Sequence, residues 1–180
     1  MQPPPTDRPT GPNGPLVVVM GVAGSGKSTL GRALAKALEA PFCDADDLHP
    51  PANKERMQQG LPLDDAHRWP WLDLVYARLR AASDRPRGLV LACSALKQAY
   101  RDRLAYGLPG LVFVHLHADR DTLARRLQRR HGHFFPASLL DSQLDTLEPP
   151  AAAIACDATR PIAELTAELV QRLRGPGPTD

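Results

Sequence analysis

The 180-residue sequence contains no apolar run approaching the ~18 residues of a membrane helix. Its first residues lack the charged and apolar regions of a secretory signal. Cysteine is scarce: Cys43, Cys93 and Cys156 form an odd set with no C-x-x-C spacing. That argues against a disulfide framework or a zinc site and predicts buried free thiols in a reducing cytoplasm. Aromatics make up 5% and the net charge is only +2, so the composition lacks the basic, stacking character of a nucleic-acid surface. The D-x-x-G and N-K-x-D signatures of a GTP switch are missing; the only Asn-Lys pair, Asn53-Lys54, runs into Glu55-Arg56. No internal repeat is found.

What the chain does have is the stretch GVAGSGKST, Gly21 to Thr29, which fits G-x-x-x-x-G-K-[ST]. Such a loop wraps an anionic nucleotide end with backbone N–H groups, so several positions need open dihedrals and no side chain in the way. Gly21, Val22, Ala23, Gly24, Ser25, Gly26, Lys27, Ser28 and Thr29 are thus the predicted phosphate cradle. Lys27 reaches the outer phosphates and the Ser28 hydroxyl ligates Mg²⁺. Leu16 to Met20 before it reads as a strand buried on both faces. Leu30, Ala33, Leu34, Ala37 and Leu38 after it fall on one helix face.

Prolines 3, 4, 5, 9 and 12 mark residues 1–14 as a disordered leader, and residues 175–180 as a flexible tail. Between them, residues 15–174 read as a single domain. Strands are expected at Pro41–Asp44, Gly88–Cys93, Leu111–Leu116 and Ala151–Cys156, alternating with helices. Ser94 is expected to cap a helix through Leu104, Asp119 another, and Pro161 to open the last. This alternation predicts a three-layer α/β/α fold with a parallel five-stranded sheet, ligands lying at the carboxyl ends of its strands.

At the second strand's end stands Asp44-Ala45-Asp46-Asp47-Leu48-His49-Pro50. Strand alternation puts Asp44 and Asp46 on one side. Asp46 is expected to accept the proton of an attacking hydroxyl, and Asp44 to lie on the metal side. An acceptor-binding insertion is expected at about 47–82. In it, Arg56 and Arg68 are either partners of an anionic group or solvated surface charges. The third strand ends in Ser94 where many phosphate-loop NTPases carry aspartate, which points towards small kinases. Lys97 and Arg101, one turn apart, share a face suited to a carboxylate. The basic run Arg125 to Phe135 reads as a lid at about 126–137, with Arg126 and Arg130 closing over the phosphates, Gly132 as its bend and His133 on the acceptor side. His115 and His117 read as packed histidines or, less simply, as metal ligands.

Taken together, MGVAGSGKS, DADDLHP, Asn53 to Met57, GLPLDD with Arg68-Trp69-Pro70-Trp71-Leu72, CSALKQAYRD, RRHGHFF and Gln143 with Leu147-Glu148-Pro149 resemble the bacterial-type gluconokinases. These are small kinases related in fold to shikimate and adenylate kinases. The resemblance spans Leu16 to Leu173. It implies ATP-dependent phosphorylation of D-gluconate at its 6-hydroxyl, with Mg²⁺, in a cytoplasmic homodimer without nucleic-acid or membrane partners. In that setting Lys27, Asp46 and Arg130 are the expected catalytic residues. Asp46, His49, Arg56, Ser94, Lys97, Arg101 and His133 are the expected acceptor residues, with Ser28 and Asp44 at the metal. The sequence departs from the family at Ala66 and His67, where acids are usual before the arginine, so no role is given to those positions. The rival readings are a shikimate-type or nucleoside monophosphate kinase and a non-catalytic nucleotide-binding module.

Overall fold

A computed structural model describes residues 14–129 and 137–174. Residues 1–13 of the expected leader, the tail and the Arg130 to Pro136 part of the expected lid lie outside the described residues, and Arg130 and His133 with them.

Five strands form one parallel sheet: β1 (Leu16–Met20), β2 (Phe42–Asp44), β3 (Leu89–Ala92), β4 (Leu111–His117) and β5 (Ile154–Asp157), in the order β2-β3-β1-β4-β5. The most apolar strand takes the centre because its neighbours and both flanking layers must cover it. All five β1 residues are buried. One face packs Val18, Met20, Leu89 and Leu91 against α3 (Asp65–Ser83) and α4 (Gln98–Ala105), through Leu72, Val75, Leu79, Tyr100 and Leu104. The other packs Val17, Val19, Val90 and Val114 against α1 (Lys27–Ala37) and α7 (Ile162–Arg174), through Leu30, Leu34, Leu165 and Leu169. The expected three-layer parallel α/β/α fold is therefore the observed one. A third, smaller cluster lies beside the phosphate loop. In it Val22 and Leu96 meet Leu123 and Leu127 of α5 (Arg120–Gln128) and Leu140 of α6 (Ala137–Thr146).

The expected insertion contains α2 (Pro51–Gln58) and most of α3. Asp119 caps α5 as expected, its carboxylate accepting the Thr122 N–H at 2.8 Å.

Three local expectations need correction. The fifth strand begins at Ile154 rather than Ala151 and runs one residue further, to Asp157, because only these residues find β4 partners. Ser94 does not cap a helix: α4 starts at Gln98, and Ala95 before it is held at φ 44°, in the left-handed region. The first N–H of the helix, at Gln98, is taken by the Glu148 carboxylate at 2.6 Å, a partner 50 residues away. Finally, Asp44 ends β2 and Asp46 stands in a 3₁₀ turn, Ala45–Leu48, so strand alternation does not relate them.

Candidate active site

The phosphate loop leaves the carboxyl end of β1. At Gly21, φ is 146° and a Cβ would lie 2.5 Å from the Leu116 carbonyl, so a side chain would break the loop from the neighbouring strand. Gly26, at φ 96°, turns the chain into α1. The loop's first residues are tied to its surroundings: Gly21 N–H donates to the Ser94 carbonyl at 3.4 Å and Ala23 N–H to Gln143 Oε1 at 2.7 Å. Lys27 Nζ donates to the loop's own Val22 carbonyl at 3.1 Å. Ser25 is buried, and its Oγ has no hydrogen-bond partner among the described residues. Arg126 of α5 spans the loop and the turn after β5, donating to Ala158 O at 2.7 Å and Ser25 O at 3.5 Å. These features fit a triphosphate: a helix start, backbone donors in a side-chain-free curve, and an ammonium at its rim.

Asp44 and Asp46 meet through a cap rather than through the strand. Asp44 Oδ1 accepts the Asp46 N–H at 3.2 Å, and Asp44 Oδ2 accepts the Ser28 hydroxyl at 2.5 Å. One carboxylate thus joins the phosphate loop to the turn that presents Asp46, which is exposed. A hydroxyl beside a carboxylate is also a donor set for a hard divalent cation shared with phosphate oxygens. Among the described residues no group of three or more His, Cys, Asp or Glu side chains forms a metal cage, and His115 and His117 are only a tilted ring pair at 5.8 Å.

Trp71 holds the same turn from below, its Nε1–H donating to Ala45 O at 2.7 Å. His49 stacks on the Trp71 ring, centroids 4.2 Å apart at 12°, and its Nδ1 pairs with the Asn53 amide at 3.3 Å. Burial, then the Lys54 and Arg68 charges, lowers the His49 imidazole to about 4. This neutral ring should leave a pH signature. An unfolded chain takes up the proton near 6.5 while the folded one resists to about 4, so stability falls as pH drops through that window and not above it. The urea midpoint followed from pH 7 to 4 should therefore fall less steeply in His49→Asn than in the parent. Parallel slopes would mean that His49 takes up its proton as readily in the fold as in the unfolded chain.

Helix α3 and the loop before α4 gather a polar cluster that sequence reading only half found. Asp65, in the first turn of α3, accepts from the Tyr100 hydroxyl and from Lys97 Nζ, the latter at 2.9 Å to each carboxylate oxygen. Arg68 donates to Tyr100 Oη at 3.2 Å and lies 3.9 Å from Asp65. The Tyr100 and Lys97 hydrogen bonds hold the Asp65 carboxyl below its usual range, and the Asp65 bond holds Lys97 above its own. Two cations facing one carboxylate leave a net positive corner. Of the two candidate arginines, Arg68 is the one whose charge bears on His49. Arg56 instead donates to Pro62 O at 3.2 Å and bears on Asp64.

Arg101 is a correction. It is 3% exposed, and all five of its N–H donors are used: on Ala95 O, Leu96 O, Glu148 O and, twice, Gln98 Oε1. It braces the 94–98 loop and has no donor left for an acceptor. Lys97 and Arg101 therefore do not share a working face. Lys97 points to Asp65, and Arg101 turns inward. Ser94, half-buried, contributes its carbonyl to the phosphate loop. Sequence reading gave no role to Tyr100 or Gln143, both of which lay inside quoted motifs. Their only signal was a polar residue amid apolar helix positions.

Comparison with known proteins gives the family. Residues 16–150 match the AAA domain family. A probable gluconokinase of Xenopus tropicalis is 45% identical over 86% of this chain and 90% of its own length. A gluconokinase of Gluconobacter oxydans is 52% identical over 75% and 76%. A crystal structure of a gluconokinase from Sinorhizobium meliloti superposes with a TM-score of 0.80 at 47% identity, covering 89% of this chain and 91% of that one. Identity at this level over most of both chains carries the family as well as the fold, and the chain belongs to the gluconokinases.

Proposed function

We propose that this protein transfers the terminal phosphoryl group of ATP to the 6-hydroxyl of D-gluconate, giving 6-phosphogluconate and ADP. The observation that carries the reading is the Ser28–Asp44–Asp46 chain, which ties the phosphate loop to the turn carrying the exposed Asp46. A kinase acting on an alcohol needs a group to take the hydroxyl proton, whereas one acting on a phosphate oxygen does not.

In this reading the loop amides and Lys27 hold the triphosphate and offset charge on the transferring group. Ser28 and Asp44 would hold Mg²⁺, which would supply charge neutralisation for the phosphates. Asp46 orients the 6-hydroxyl and accepts its proton. The far end of gluconate is a carboxylate, and the positive corner of Arg68 and Lys97 over Asp65 and Tyr100 is matched to one negative charge. His49 and Ser94 line the polyol between these ends, and Arg56 is an outer contact. Arg126 stands on the nucleotide side. Arg130, at the transferring phosphate, and His133, near the acceptor, are assigned from the resemblance. The protein is read as a cytoplasmic homodimer on the same ground. No described helix is long and apolar enough to cross a membrane.

The test is ADP release from Mg·ATP with gluconate, shikimate, other sugar acids and nucleoside monophosphates in parallel. Gluconate should be the preferred acceptor. Turnover on shikimate or AMP without turnover on gluconate would overturn the assignment.

A further inference from the structure

The segment Gln143 to Glu148 touches both loops that build the phosphate site, and neither contact has a role in the reaction described above. Gln143 Oε1 accepts the Ala23 N–H at 2.7 Å, across 120 residues of sequence. The amide orientation is forced, since an N–H can only be met by the carbamoyl oxygen. Five residues on, Glu148 N–H donates to Leu96 O at 2.9 Å, and its carboxylate takes the Gln98 N–H. The 94–98 loop in turn holds Gly21 N–H through Ser94 O. Both amides at the entrance of the phosphate loop are thereby held, one directly from α6 and one through a loop that the same segment braces.

Packing does not require the Gln143 bond. Helix α6 already seats Leu140, with Leu144 and Leu147 beside it, in the cluster around Val22, Leu96, Leu123 and Leu127. Burial of those leucines anchors the helix, while one neutral hydrogen bond adds little to overall stability. What the bond does supply is direction. It fixes the Ala23 peptide plane in a loop whose function is to aim its N–H groups at one point.

We propose that Gln143 is a positioning residue of the phosphate loop, which holds the Ala23 peptide in register and so sets affinity for the nucleotide triphosphate rather than for the acceptor. The inference rests on the loop's binding a nucleotide, not on gluconate being the acceptor. Titration with Mg·ATP alone therefore tests it apart from the acceptor assignment.

The variant Gln143→Met keeps length and loses the acceptor. It should weaken Mg·ATP binding and raise KM for ATP by about 3- to 10-fold, the worth of one such bond. The gluconate KM and the melting temperature should stay close to the parent's. Amide exchange at Ala23, slow in the nucleotide-free parent, should speed up. Gln143→Glu, which retains an oxygen acceptor, should restore the slow exchange. Unchanged ATP affinity in Gln143→Met would overturn the proposal. So would equal losses for both substrates with a lowered melting temperature, which is the pattern of a merely structural residue. Fast Ala23 exchange in the parent or in Gln143→Glu would overturn it as well.

Discussion

Replacing Asp46 by asparagine should lower turnover by about 10²–10⁴-fold, the usual worth of general-base help, with ATP binding nearly intact. The substitution is close to isosteric. It leaves the backbone N–H that Asp44 Oδ1 accepts, so the 3₁₀ turn keeps its cap. Trp71 still holds the turn through Ala45 O, and Ser28 still meets Asp44 Oδ2. The Ser28–Asp44 contact at the phosphate loop does not involve the Asp46 side chain. What is lost is the ability to take a proton from the acceptor hydroxyl. The measurement is kcat by coupled ADP release beside the Mg·ATP dissociation constant by titration. Unchanged kcat would remove Asp46 from the chemistry. A large loss of ATP affinity would move it to the metal.

Lys27→Met should reduce kcat/KM for ATP by about 10²–10³-fold, the scale seen when one preorganised donor to a developing charge is removed. Lys27 begins α1 and its ammonium sits 3.1 Å from the Val22 carbonyl, over the loop that is to hold the phosphates. With a nucleotide bound, that ammonium would meet phosphate oxygens in a charge-assisted contact, stronger than its bond to the neutral Val22 carbonyl. Methionine preserves most of the stem and its packing, so the melting temperature should change little. The gluconate KM should also hold, since the acceptor corner is built from α3 and the loop before α4. A drop of less than tenfold in kcat/KM would show that loop amides and cation carry the charge without this residue.

The fold and the phosphate loop were legible in the sequence because their signals are local. A run of five buried β-strand residues, a loop that needs glycine where φ is positive, and a helix with apolar residues on one face all lie within 25 consecutive positions. The acid pair was legible as chemistry but not as geometry. Alternation along a strand was the wrong reason for its closeness, and an aspartate cap at the strand's end is the right one. Arg101 shows the limit most clearly. In sequence it and Lys97 are two cations one turn apart. In the structure one meets a half-exposed carboxylate, while the other turns inward and spends all its donors on the Ala95, Leu96 and Glu148 carbonyls and the Gln98 side chain. The start of α4 was missed for a similar reason. Its first N–H is served by Glu148, and no local pattern around Ser94 reports that partner.

By itself, then, the sequence determined the strand–loop–helix unit, the alternation that makes a parallel sheet, and the residue types able to grip phosphate and activate an alcohol. These follow from short-range sterics and from side-chain chemistry that each residue carries wherever it stands. Only the tertiary structure decided which cations gather at Asp65 and Tyr100, which are spent on buried carbonyls, and how α6 reaches the phosphate loop. Those outcomes depend on burial and on partners tens of residues away, and a donor commits itself only when the packed chain brings an acceptor within about 3 Å.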